Sequence, residues 1–142
     1  MQTAPHISKV RVRYVETDQM GIAHHSNHLV WMEVARVETC RDLGFDYREM
    51  EQDGMLLAVA EAHCRYISGA RYDDEISIET TITEASRRFV SFEYEMTCEG
   101  RRIASGKTRH IFLNKDLRPT RLTDKYAPLF GLAGDQKYAE QD

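Results

Sequence analysis

Tyr14-Val15-Glu16-Thr17-Asp18-Gln19-Met20-Gly21-Ile22-Ala23-His24-His25-Ser26-Asn27-His28-Leu29-Val30-Trp31-Met32-Glu33-Val34-Ala35-Arg36 is the stretch on which the fold turns. Its first half, to Asn27, follows neither the two-residue period of a strand nor the 3.6-residue period of a helix. It reads as an ordered loop. Gly21 permits backbone angles closed to other residues. Ser26 and Asn27 are both candidate N-caps, because a short side-chain oxygen can accept a free N–H of the first helical turn. From about His28 to Leu43 the spacing predicts a helix. Leu29, Val30, Trp31, Met32, Val34, Ala35, Val37 and Cys40 spread over much of its circumference, so burial on more than one side is expected. Gly44 is the expected C-terminal stop.

Upstream of the loop, residues 8–15 alternate polar and apolar, with Val10, Val12 and Tyr14 on one face, as in a half-buried strand. Downstream, a polar link from Asp46 to Gly54 leads to four strand signals. These are Leu56 to Ile67, Glu75 to Thr83, Phe89 to Thr97 and Arg102 to Leu113. Ile76, Ile78, Thr80 and Ile82 alternate cleanly. Glu99-Gly100 marks a tight hairpin, Ser86-Arg87 a second short connection. A tail punctuated by Pro119 and Pro128 holds one short helix near Leu122–Phe130. One strand, one long helix and four strands make an α+β chain. Its antiparallel sheet must cover the helix, and a helix apolar on several sides asks the sheet to curl around it.

The 142 residues suit a single domain, 1–142. Hydrophobic residues make up 42% and charged residues 30%, a folded composition and not a disordered one. A net charge of -4 argues against general nucleic-acid binding, which needs a basic surface. No apolar run approaches the ~20 residues of a membrane span. Cys40, Cys64 and Cys98 form no CxxC pair, and Met1 to His6 hold no apolar signal-peptide core. The expected location is cytoplasmic, with the thiols reduced.

Chemistry concentrates in Tyr14, Glu16, Asp18, His24, His25, Ser26 and Asn27. This loop feeds into a helix N-terminus, where free N–H groups and the macrodipole favour developing negative charge. An acid beside such a terminus makes a workable hydrolytic site: amides hold an oxyanion, and the acid attacks or activates water. The alternative is a solvated structural loop. His24, His25 and His28 raise the question of a metal, but there is no HExxH and the three cannot share one helical face. Arg87-Arg88, with Arg65, Lys107 and Arg109, form either a basic patch or a solvated face balanced by glutamates. GxSxG, GxGxxG and Walker loops are missing, which disfavours serine hydrolases, dinucleotide enzymes and P-loop NTPases.

Tyr14-x-x-Thr17-Asp18-x-x-Gly21, then His25-x-Asn27, then Glu33-x-x-Arg36 on the helix, resembles the hotdog-fold acyl-CoA thioesterases. The resemblance is to the group containing 4-hydroxybenzoyl-CoA thioesterase and the YbgC-type enzymes. Ala70-Arg71-Tyr72-Asp73-Asp74, Arg87-Arg88-Phe89-Val90 and Ala104 to His110 extend it to about residue 121. It implies a curved antiparallel sheet wrapped around the long helix, in dimers that often pair into tetramers, with sites at the dimer interface. It implies Asp18 as the catalytic carboxylate, accompanied by Tyr14 and His25, with the His25 amide polarising the thioester carbonyl. Arg87 and Arg88 match a basic pair that contacts the nucleotide part of CoA. No cofactor or metal is implied. Ser68-Gly69-Ala70, Ala23-His24 and Met20 depart from the family's pattern at positions adjoining the expected acyl pocket. Two other readings stay open at this point. One is a hotdog hydroxyacyl-thioester dehydratase, whose His-then-proline pattern is missing. The other is a non-catalytic acyl-CoA-binding module.

Overall fold

Alternation along the strand Glu75–Ala85 presents Ile76, Ile78, Thr80 and Ile82 to one buried face. Everything else packs around that strand. The computed structural model describes residues 4–44 and 47–132. In chain order the elements are β1 (His6–Arg11), a 3-10 turn (Tyr14–Glu16), α1 (Ser26–Leu43), α2 (Tyr47–Gln52), β2 (Leu56–Tyr66), β3 (Glu75–Ala85), β4 (Phe89–Cys98), β5 (Arg101–Leu113) and a 3-10 turn at Ala127–Phe130. The five strands form one antiparallel sheet in the order β1-β3-β4-β5-β2. The expected α+β hotdog arrangement, a sheet curved over one long helix, is the one that forms.

Register carries the core across the sheet. Ile78 faces Met96, Thr80 faces Tyr94 and Ile82 faces Phe92, and Met96 then faces Ala104. Trp31, Met32, Ala35 and Cys40 of α1 lie on this face. Gly106 of β5 allows the close approach: a Cβ there would lie 2.0 Å from the Met32 Cε. Glu99 and Gly100 both take positive φ (50° and 79°) in the β4–β5 hairpin, the geometry a two-residue primed turn requires.

A polar network runs through the core. Arg36 donates from Nε to the Tyr47 hydroxyl (3.2 Å) and from a terminal nitrogen to the Tyr94 hydroxyl (3.3 Å). Tyr94 bonds Thr108 at 2.6 Å, and Thr108 bonds His110 Nε2 at 2.8 Å. Burial, reinforced by the Arg36 charge, pushes His110 down to about 3, so it is neutral at pH 7.

Several expectations need correction. α1 starts at Ser26 with His25 as its cap, so neither Ser26 nor Asn27 caps it. The reason is one residue upstream: His24 Nδ1 accepts the Ser26 N–H and the His24 carbonyl accepts the Asn27 N–H. α1 is buried on one side only, because a single sheet covers it, and Leu29, Val30 and Val34 are exposed. β1 ends at Arg11, and the 3-10 turn that follows directs Tyr14 outward, 78% exposed. Within the expected polar link, Tyr47–Gln52 forms α2 and buries Met50; Asp46 lies outside the described residues. The expected tail helix is only the 3-10 turn at Ala127–Phe130.

The three cysteines are free thiols, with Cys40 and Cys98 buried. β2 lies at a sheet edge, eleven residues long, with Val59, Tyr66 and Ile67 exposed at or beside it. No helix among the described residues is long and apolar enough to cross a membrane.

Candidate active site

The loop after the first 3-10 turn folds on its own backbone. Thr17 bridges Ala23, Asp18 N–H donates to Ile22 O (2.9 Å), and Gly21 N–H donates to Asp18 O (2.9 Å). Gly21 takes φ 79°, which this tight return needs. One Asp18 carboxylate oxygen, Oδ1, accepts the Met20 N–H at 2.8 Å. The Asp18 side chain lines a cavity of about 280 Å³ between this loop, the start of α1 and the end of β2.

His25 meets Asp18 at that cavity from the helix side. Two amides of the first turn are already used, Ser26 by His24 Nδ1 (3.2 Å) and Asn27 by His24 O (3.0 Å). The His25 N–H has no hydrogen-bond partner among the described residues. An unpaired amide at the positive end of an 18-residue helix, in a residue that shares its cavity with Asp18, is suited to an oxyanion. Ile22, Ile67 and Gly69 supply apolar wall. Gly69 is constrained: a Cβ there would sit 2.7 Å from Ile22 Cγ2. Of the positions expected to adjoin the acyl pocket, Met20, Ala23, Ser68 and Gly69 line this cavity, and His24 and Ala70 do not.

Glu16 anchors the loop from beneath. It is 5% exposed and accepts from Arg13 N–H (2.8 Å), Trp31 Nε1 (3.2 Å) and the Arg13 guanidinium (3.3 Å). Burial pushes its carboxyl up, but these donors outweigh that, and its pKa is lowered below 4.5. Its backbone carbonyl accepts His24 N–H (2.7 Å) and Asn27 Nδ2 (2.9 Å), tying the loop to the helix start.

Asp18 and His25 are therefore brought together. Tyr14 is not: its ring packs edge-on to Tyr72, centroids 5.6 Å apart, and it does not line the cavity. Within one chain it does not orient Asp18, since the 3-10 turn sends it to solvent. Arg87 also departs from expectation. It is 6% exposed, and donates to Leu122 O (2.6 Å) and Asp124 Oδ1 (2.7 Å), pinning the C-terminal segment to the sheet. A guanidinium so engaged does not present itself to a phosphate. Arg88 remains at the surface beside it. His28 is buried between Trp31, whose ring is tilted against it, and Tyr66, which meets it edge-on, and its pKa is lowered chiefly by burial. No cluster of three or more potential metal ligands occurs among the described residues. Tyr66, whose hydroxyl donates to His25 O (2.8 Å), lines the cavity from β2 without any local sequence signal.

Residues 12–129 match the model of the thioesterase-like superfamily. The chain belongs to that superfamily. A Bacillus subtilis (strain 168) protein provisionally named acyl-CoA thioesterase YneP is 44% identical over 81 residues, 56% of this chain and 59% of its own length. Acyl-CoA thioesterase YbgC of Haemophilus influenzae is 31% identical over 88 residues, 61% of this chain and 65% of its own. The match thus spans under two thirds of either relative. A crystal structure of DHNA-CoA thioesterase from Staphylococcus aureus superposes with a TM-score of 0.83 at 33% identity, covering 89% of this chain and 85% of that one. The hotdog fold of the superfamily is the fold of this chain.

Proposed function

We propose that this chain is an acyl-CoA thioesterase, hydrolysing the thioester of an acyl- or aroyl-CoA to the free acid and CoA. The observation that carries the reading is that Asp18 and His25, whose N–H has no partner among the described residues, line one cavity. Superfamily membership supports it. The thioester carbonyl oxygen accepts the His25 N–H, and negative charge developing there is stabilised by that amide and the helix dipole. Asp18 either attacks the carbonyl carbon, forming an anhydride that water then opens, or takes a proton from the attacking water. The C–S bond breaks as the tetrahedral oxyanion collapses. The thiolate, with a parent thiol pKa near ~8.5, leaves without a strong acid or a metal.

The functional unit is a homo-oligomer built on a dimer in which a second copy covers the open edge of β2. The cavity's β2 side supports this: Tyr66 is 46% and Ile67 42% exposed in the single chain. Residues 1–142 work as one domain within it. Arg88 remains the candidate for the CoA phosphates.

The test is release of free thiol from short, long and aromatic acyl-CoAs. Asp18→Asn should lower turnover by ~10²–10⁴-fold, with melting unchanged. Wild-type rates in Asp18→Asn would refute the assignment, as would CoA binding or water addition to the acyl chain without thiol release. Oxygen-18 in the Asp18 carboxylate after a single turnover in labelled water supports the anhydride; its restriction to the product acid supports the base.

A further inference from the structure

We infer that Asn27 and Tyr66 are positioning residues that lock the peptide groups on either side of His25 and so keep its N–H aimed into the cavity. The inference rests on the thioesterase reading above and extends it to two residues outside the Asp18–His25 pair.

A trans peptide is planar, so its carbonyl and its N–H point in opposite directions. The peptide joining His24 to His25 has its carbonyl held at the helix side by two donors from one residue. These are the Asn27 backbone N–H at 3.0 Å and Asn27 Nδ2 at 3.2 Å. The N–H at the other end of that plane must therefore face away from the helix's first turn. It is the amide that has no partner among the described residues. Asn27 Nδ2 also reaches Glu16 O at 2.9 Å, so the same side chain fixes the loop against the helix.

The peptide following His25 is held as well. Its carbonyl accepts the Tyr66 hydroxyl at 2.8 Å and meets His28 Nδ1 at 3.2 Å. A carbonyl oxygen can only accept, so in this contact His28 Nδ1 carries the proton and donates. Tyr66 is pushed up to about 12, chiefly by burial, and its hydroxyl stays a donor throughout the neutral range. The Tyr66 ring stands edge-on to His28, centroids 4.8 Å apart, which limits its swing. Rotation of the first peptide would break two hydrogen bonds, and rotation of the second three, because its Ser26 N–H also donates to His24 Nδ1. An oxyanion donor fixed before the substrate arrives needs no reorganisation during the reaction.

Tyr66→Phe and Asn27→Ala test this in the full chain. Each is expected to lower kcat by about 10-fold, below the ~10²–10³ for outright loss of an oxyanion donor, with KM within about 2-fold. A second readout is independent of turnover: the His25 amide proton, followed by NMR during titration with an acyl-CoA analogue whose sulfur is replaced by methylene. It should move downfield in the wild type and distinctly less in Tyr66→Phe at equal occupancy. Unchanged kcat in both variants, or an equal amide shift in wild type and Tyr66→Phe, would overturn the inference. So would a fall in kcat that tracks a fall in melting temperature and is shared by a remote destabilised control, Cys98→Ser. If the wild type releases no thiol from any acyl-CoA, the thioesterase reading fails, and the analogue titration still decides whether Tyr66 orients the amide.

Discussion

Glu16→Gln isolates what a buried carboxylate contributes to this site. In the wild type one oxygen, Oε1, accepts the Arg13 N–H at 2.8 Å and the other, Oε2, accepts Trp31 Nε1 at 3.2 Å. Glutamine offers one oxygen and one NH₂, so one of these donors must face an NH₂ and lose its acceptor. A buried unsatisfied donor costs about 1–3 kcal/mol, and the surviving bond weakens because its acceptor is no longer charged. The Arg13 guanidinium is 72% exposed on its side chain, so solvent screening leaves its share close to nothing. The sum is about 2–4 kcal/mol at pH 7, near 10 °C in Tm for a chain of this size. The pH dependence has a definite sign. Glu16 has a folded pKa lowered from 4.5, so its stabilisation is fully present above 4.5 and is lost as pH falls through the folded value. The gap between wild type and Glu16→Gln should therefore close below pH 4.5. Urea titrations of both proteins at equal protein concentration, at pH 7 and in steps down to about pH 3, measure it directly. A gap below about 0.5 kcal/mol at pH 7, or one that persists unchanged in acid, would refute the reasoning.

Three further outcomes follow from the packing. His110, held near 3 when folded against 6.5 ordinarily, stays neutral while the unfolded chain takes up a proton. Stability should fall from pH 6.5 toward 3 by up to about 1.4 kcal/mol per pH unit, and His110→Gln should flatten that slope; equal slopes would count against a neutral buried His110. Gly106→Ala should cost about 1–3 kcal/mol by overpacking, because its Cβ meets Met32 Cε at 2.0 Å. Met32→Ala in the same chain should recover part of that loss, whereas strictly additive losses in a double-mutant cycle would contradict the contact. Arg87→Met should lower Tm by freeing Leu122 and Asp124. KM for acyl-CoA should stay within about 2-fold, as expected of a group that touches no substrate; a raised KM at constant Tm would return Arg87 to a phosphate-binding role.

Much of the architecture was legible in local pattern. Strands β3, β4 and β5 were read to within two residues at each end, because a half-buried strand writes its burial into alternate positions. Gly44 as the stop of α1 and Glu99-Gly100 as a hairpin were legible because positive φ selects few residue types. The loop carrying Asp18 and His25 stood out because polar side chains crowd before a helix start. α2 was missed because Tyr47–Gln52 is one polar turn and a half with a single buried residue, Met50.

By itself, then, the sequence determined the long helix, the strands β2 to β5 and the loop that holds Asp18, since periodicity and glycine act over a few neighbours. Distances across the chain belong to tertiary structure alone. Arg87 and Arg88 look alike in sequence, yet Arg87 is buried against a segment 35 residues away while Arg88 is exposed. Tyr14 and Tyr66 are both strand-flanking tyrosines, yet the 3-10 turn points the first to solvent and the sheet edge brings the second to the His25 carbonyl. The unpaired His25 amide exists because Asn27 turns the preceding carbonyl away from it. That turn is local, made three residues apart, but the Tyr66 bond that holds the His25 carbonyl depends on which chain segments meet, and the packing of α1 against β2 decides it.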